Sequence, residues 1–217
     1  ALFDLAPDGR PHALAALWAN TGHGPDAERQ EGPHLHCVRF SPDGHWLYAV
    51  DLGTDQILRF ALDDAVPLEA AHVAYQAPAG SGPRHLLFHP ERPIALLVSE
   101  LASTLSLLDI ADHGLSLRAQ CSSLPAGNAG ESLGGHLAIN AAGDRVYVTN
   151  RGHDSVAVFR LDADGTLAPI QHVPSGGASP RFFLLLEDLG RLILVNEEDG
   201  AITAFALHDD GTLSALE

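Results

Sequence analysis

Lysine and methionine are both absent from this 217-residue chain, and cysteine occurs only twice, at Cys37 and Cys121. Two cysteines cannot build a disulfide framework, so a reducing cytoplasm is the expected home. No run approaches eighteen uninterrupted apolar residues, and the opening ALFDLAPDGR lacks the basic-then-apolar order of a signal peptide, so neither a spanning helix nor a leader is read here. Positive charge is scarce as well: 12 Lys plus Arg, every one of them arginine, stand against 28 Asp plus Glu, a formal net of -16. A chain so acidic repels nucleic acid and anionic membrane, and neither is an expected partner. Amphipathic helices of useful length are also missing. Where the few arginines gather is therefore informative.

The 46% of hydrophobic residues is ample for a core. The stretch Gly32 to Asp51, GPHLHCVRFSPDGHWLYAVD, reads as strand, Asp43-Gly44 turn, strand, and three further versions of it follow. The apolar residues before each turn are Phe40, Phe88, Ile139 and Leu185, at spacings of 48, 51 and 46 residues. Each unit has a Gly/Pro-rich lead-in, a strand pair, a third strand (Ile57 to Leu62, Leu105 to Ile110, Val156 to Leu161, Ile202 to Leu207) and a weaker fourth. The turns Asp164-Gly165-Thr166-Leu167 and Asp210-Gly211-Thr212-Leu213 repeat the same wording, with Pro7-Asp8-Gly9 as an earlier copy. Four short strands per repeat of about 40 to 50 residues is the pattern of a β-propeller blade. The fold class is all-β, and about four to five blades are present. Residues 1–217 are expected to form a single propeller domain, incomplete at one or both ends.

Pairing residues about the turn centres places His36 opposite Asp51, Arg84 opposite Glu100, Gly135 opposite Asn150 with Arg151 beside them, and Arg181 opposite Asn196. All four pairs fall where the first strand begins and the second ends, so one rim gathers His36, Asp51, Arg84, Glu100, Asn150, Arg151, Arg181 and Asn196. Guanidinium forks match phosphate or carboxylate geometry, and three arginines on one rim of an acidic chain point to a small anionic ligand. The alternative is that each arginine ties down the backbone of a neighbouring blade. His36 titrates near neutrality and is a base candidate, while Glu100, lowered by Arg84, is a rival base or an orienting group.

Other motifs carry less. His34-x-His36 could be half of a zinc site, but no third ligand is evident. Asp162-x-Asp164-Gly165 begins like a calcium loop and lacks its later ligands, so it reads as a hairpin turn. Gly152-His153-Asp154-Ser155 holds three triad residue types in one turn, without the Gly-x-Ser-x-Gly elbow. Gly80-Ser81-Gly82 precedes a strand instead of a helix, which excludes a dinucleotide fingerprint. Cys37 alternates away from His36, toward the core.

Taken in order, GPHLHCVRFSPDG with Asp51-Leu52-Gly53-Thr54-Asp55, Gly80-Ser81-Gly82-Pro83-Arg84-His85, Glu100-Leu101-Ala102-Ser103-Thr104, Asn150-Arg151-Gly152-His153-Asp154-Ser155 and Pro180-Arg181-Phe182-Phe183 resemble the lactonase family of seven-bladed β-propellers. This is the 6-phosphogluconolactonase type, related to the carboxy-muconate lactonizing enzymes. The match runs from roughly Gly32 to Leu213 and departs at two turns, Glu91-Arg92-Pro93 and Ala141-Ala142-Gly143. The resemblance implies seven blades, of which two to three are not in this sequence. It also implies hydrolysis of a sugar lactone, most simply 6-phosphogluconolactone, without metal or cofactor. Catalytic roles carry over by motif to His36, Arg84, Glu100 and Arg151; Asp51, Asn150, Arg181 and Asn196 are expected to bind substrate, with Arg151 and Arg181 meeting its charge. A lactonizing cycloisomerase and a non-catalytic binding scaffold are the alternatives. Oligomeric state stays open.

Overall fold

Alternation at period two dictates how this chain stacks. In the strand Ile94–Ser99, the side chains of Ile94, Leu96 and Val98 enter one apolar cluster, while Ala95 and Leu97 enter the next. The strand Arg145–Arg151 does the same, with Val146 and Val148 on one side and Tyr147 on the other. A strand that is apolar on both faces must be covered on both, so each sheet is sandwiched between neighbours.

The computed structural model describes residues 1–62, 70–111 and 114–216. A two-stranded ribbon, β1 (Leu2–Leu5) and β2 (Pro11–Ala16), precedes four sheets of four strands. The first is β3 (Leu35–Phe40), β4 (Trp46–Asp51), β5 (Gln56–Ala61) and β6 (His72–Gln76). The second is β7 (Pro83–Phe88), β8 (Ile94–Ser99), β9 (Thr104–Ala111) and β10 (Gly114–Ser122). The third is β11 (Leu133–Ile139), β12 (Arg145–Arg151), β13 (Ser155–Leu161) and β14 (Leu167–Pro174); the fourth is β15 (Pro180–Leu186), β16 (Arg191–Asn196), β17 (Ile202–Leu207) and β18 (Leu213–Ala215). Every sheet is an antiparallel meander in chain order. The inner strands β3, β7, β11 and β15 are adjacent in succession, which is the arrangement of propeller blades around an axis. Among the described residues the only helical element is a 3₁₀ turn at Glu187–Leu189, and no helix is long and apolar enough to cross a membrane.

Apolar clusters fill the three gaps between blades, with Leu86, Phe159 and Phe205 among their fully buried members. Each such side chain contributes roughly 1.5–3 kcal/mol of transfer free energy. Polar staples add registration. His89 Nε2 meets the Gly143 carbonyl at 2.9 Å, and a Cβ at Gly143 would lie 2.5 Å from that ring, so the neighbouring turn can approach only as glycine. The fan is not closed: Phe3, Leu5 and Leu14 at one end and Phe182, Leu184 and Ile202 at the other remain exposed.

The register corrects the expected rim pairs. Leu35, not His36, pairs with Asp51, and Cys37 pairs with Val50, so His36 is the extra residue of a β-bulge. Arg84 occupies the same position between Pro83↔Ser99 and His85↔Val98, and the β7–β8 turn centre falls half a residue before Arg92. Gly134 takes the expected place of Gly135 opposite Asn150, and Pro180 that of Arg181 opposite Asn196. A bulge places two residues against one and re-aims the inserted side chain. All four blades therefore carry a bulge at the same rim, with His36, Arg84, Gly135 and Arg181 at the equivalent position.

Candidate functional site

Glu100 follows β8 directly and is completely buried. Its N–H donates to the Gly82 carbonyl at 2.6 Å, fixing where the side chain leaves the rim. Three guanidiniums converge on its carboxylate: Arg29 on Oε1, Arg84 and Arg151 on Oε2, the last at 2.8 Å. Burial raises the Glu100 pKa, but Arg151, Arg84 and Arg29 outweigh it and bring it down to about 2. An acid so strong, with both oxygens engaged, is a poor proton acceptor. Glu100 organises the arginines.

Each arginine arrives differently. The Gly80-Ser81-Gly82 loop ahead of Arg84 hangs on Asp55, which accepts from the Gly80 and Gly82 N–H groups at 2.7 and 2.8 Å. Arg84, 5% exposed, then sends Nε to the Gly135 carbonyl at 3.1 Å. A Cβ on Gly135 would sit 2.3 Å from Thr149 Oγ1 and 3.0 Å from the Pro180 carbonyl, so the third blade offers its backbone where the others offer a side chain. Arg151, 9% exposed, also donates to the Gly134 carbonyl at 3.3 Å, while its buried Nε has no partner among the described residues. Arg29 comes from a loop: Asp26 Oδ1 caps the Glu28 and Arg29 N–H groups at 3.0 Å, and buried Gln30 anchors the segment to the Leu52 carbonyl.

His36 lies beside this cluster, its Nδ1 3.5 Å from Arg84 Nη1. Burial and then the Arg84 charge lower its pKa below 6.5, against a smaller opposite pull from Glu100. Burial and the Arg84 charge both favour the neutral imidazole. Arg181 is separate and exposed, ion-paired to Glu197 at 2.7 Å. A cavity of about 270 Å³ between Arg151, Ser132, Ser179 and Glu197 opens on this rim, and another of about 630 Å³ lies beside Arg29 and Glu131. A cavity of about 520 Å³ walled by Trp46, Phe88 and Arg92 is at the opposite rim and holds none of these groups.

Three of the expected substrate ligands make hydrogen bonds within the fold. Asp51 accepts from the His34 and Gly53 N–H groups at 2.8 and 2.9 Å and from Asn20 at 2.7 Å, and it is fully buried. Asn150 exchanges hydrogen bonds with Ser123, accepting from its hydroxyl at 2.6 Å and donating to its carbonyl at 2.9 Å. Asn196 donates to Ala201 and Thr203, at 3.4 Å each. These residues close the loops behind the rim. The minor motifs are equally local: Asp164 accepts the Thr166 N–H at 2.9 Å in a hairpin turn, Asp154 holds the Gly152 and Ser179 N–H groups, and His34 faces Glu31 at 3.4 Å.

Arg29 and the rim-facing pair His85 and His136 were not among the sequence candidates. Arg29 lies in a loop to which strand pairing assigns no position; only the Asp26-x-x-Arg29-Gln30 spacing hints at a capped turn. His85 and His136 are each one residue past a bulge, and aligning the repeats would have stacked them.

A family model described as lactonase, 7-bladed beta-propeller, matches residues 1–217. The 6-phosphogluconolactonase of Bacillus subtilis is 36% identical over 207 residues, covering 94% of this chain and 58% of that protein. The solved structure of the Pseudomonas aeruginosa periplasmic gluconolactonase superposes with a TM-score of 0.92 at 28% identity, over 99% of this chain and 61% of that one. A Lactobacillus plantarum protein superposes at 0.90 with 30% identity, over 99% and 63%. The chain thus spans about three fifths of the length of each of these relatives.

Proposed function

The chain belongs to the lactonase family of seven-bladed β-propellers, and from that premise we propose that the protein hydrolyses a sugar lactone, 6-phosphogluconolactone, to the open-chain acid. The observation that carries this reading is the convergence of Arg29, Arg84 and Arg151 on the single buried carboxylate of Glu100, beside the neutral His36. At the Glu100 carboxylate three guanidiniums face one carboxylate, a local excess of positive charge in a chain whose formal net charge is -16. Excess positive charge at one place on an acidic surface favours a small anion, and the phosphate of the substrate is one.

In this mechanism His36 removes a proton as water attacks the lactone carbonyl carbon. Its Nδ1 contact to Arg84, at 3.5 Å, is long enough for a water to compete for the lone pair. Arg84 and Arg151 N–H groups stabilise the oxyanion of the tetrahedral intermediate. Collapse breaks the bond to the ring oxygen, which takes the proton back from His36, and the carboxylate product leaves. No step requires a metal. The exposed Arg181 meets the phosphate. A cytoplasmic setting fits the two unpaired cysteines, Cys37 and Cys121, and cell fractionation tests it.

The test is hydrolysis of 6-phosphogluconolactone and of unphosphorylated glucono-δ-lactone by wild type and Arg181→Ala. A charge-assisted hydrogen bond is worth about 1.5–3 kcal/mol, so KM for the phosphorylated lactone should rise about tenfold or more in the variant, with a much smaller change for the neutral one. Equal changes for both substrates would overturn the phosphate assignment, and a wild type inert toward both would overturn the hydrolase reading.

A further inference from the structure

His85 and His136 follow the bulges of β7 and β11 and meet across the gap between the second and third blades. Their rings are 5.2 Å apart and nearly perpendicular at 87°, with Nδ1 facing Nδ1 at 3.2 Å. Two neutral imidazoles that share a hydrogen bond through Nδ1 must hold opposite tautomers. One carries Nδ1–H and a bare Nε2; the other carries a bare Nδ1 and Nε2–H. The pair therefore presents one acceptor and one donor through its two Nε2 atoms. Among the described residues, neither Nε2 has a hydrogen-bond partner.

Neutrality is secured by the surroundings. Burial, the positive charges of Arg84 and Arg39, and the neighbouring His136 and His36 push His85 down to about 3. Burial with Arg39 and Arg84 brings His136 to about 4. Arg39 is itself fixed to the Leu86 carbonyl at 3.1 Å. The same charges tie the pair electrostatically to Arg84 and His36, the groups assigned above to the chemistry. Phe182 packs against the His136 ring, with centroids 4.5 Å apart. One fixed donor and one fixed acceptor suit a ring that bears hydroxyls on its edge. A hydroxyl both donates and accepts, so it satisfies either Nε2. A carboxylate in the same place would set its lone pairs against the bare Nε2.

We propose that His85 and His136 read the ring hydroxyls of the substrate, and so select a polyhydroxylated lactone over an unsubstituted or unsaturated one. This rests on the lactonase reading and specifies the substrate class it takes. The experiment compares kcat/KM for glucono-δ-lactone and for δ-valerolactone, which has the same six-membered ring and no hydroxyls, in wild type, His85→Phe and His136→Phe. The loss of one hydrogen bond to substrate should lower the glucono-to-valero ratio about tenfold in each variant, and His136→Gln, which keeps a donor and an acceptor, should recover part of it. An unchanged ratio, with both substrates falling together, would overturn the proposal while leaving the hydrolase reading intact. A wild type that opens neither lactone would overturn both. Should a phenylalanine variant fail to fold, ring ¹⁵N spectra of the wild type titrated with glucono-δ-lactam, a stable ring that keeps the hydroxyls, decide: both Nε2 signals should move, and no movement at either would overturn the proposal.

Discussion

Glu100 sets a single negative charge against three guanidiniums, two of them more than nine-tenths buried. Buried ion pairs gain little over apolar packing, but removing one partner leaves charges that nothing compensates. Glu100→Gln keeps the side-chain shape and points amide hydrogens at arginine donors. It should cost about 3–5 kcal/mol, read as a large drop in the thermal unfolding midpoint, together with loss of lactone hydrolysis. A variant that melts with the wild type would contradict the organising role. Spacing alone already set Arg84, Glu100 and Arg151 at the inner rim, where their side chains meet. The intramolecular hydrogen bonds of Asp51, Asn150 and Asn196 were not legible in the sequence. A carboxylate or amide at a strand end looks the same in sequence whether it faces a pocket or satisfies backbone N–H groups, and here the latter need prevailed.

The element that matters most is the bulge shared by β3, β7, β11 and β15. Strand periodicity and Asp-Gly turns were enough to lay out sixteen blade strands in order, because apolar alternation and turn chemistry act locally. An inserted residue leaves no comparable mark, and pairing arithmetic carried through it misplaces everything beyond by one. The consequence for the site was benign, since Arg84 still reaches Glu100 at the end of its own hairpin and also lies 3.5 Å from His36 Nδ1 of the neighbouring blade. Gly135 shows how tightly the device is packed. Gly135→Ala would force a methyl to 2.3 Å from Thr149 Oγ1 and 3.0 Å from backbone, and would disturb the carbonyl that Arg84 Nε uses. Overpacking of this kind costs about 1–3 kcal/mol. The expected result is a lowered melting temperature and a fall in kcat/KM. Wild-type values in both would mean that the third blade tolerates a side chain there and that the backbone contact does not position Arg84.

The whole molecule is an open fan whose end faces carry exposed Phe3 and Leu14 on one side and Phe182, Leu184 and Ile202 on the other, and the relatives with which it aligns are longer. Repeat period and family motifs were both legible at this scale, since they depend on order along the chain and not on contacts. The convergence of Arg29 was not, because a loop more than 70 residues from Glu100 reaches it only once the first two blades are stacked. The reading as a whole depends on His36 acting as a base in a cluster of fixed positive charge. The measurement that tests it most directly is the pH dependence of kcat/KM for 6-phosphogluconolactone in wild type and His36→Ala. A base must be unprotonated to act, and burial with Arg84 lowers the His36 pKa, so the wild-type rate should rise with pH to a plateau reached with a midpoint below 6.5. The variant should lose about 10²–10⁴-fold of the plateau rate and the acid limb with it. An acid limb of the same midpoint in His36→Ala, or a plateau rate within a few-fold of wild type, would contradict the account.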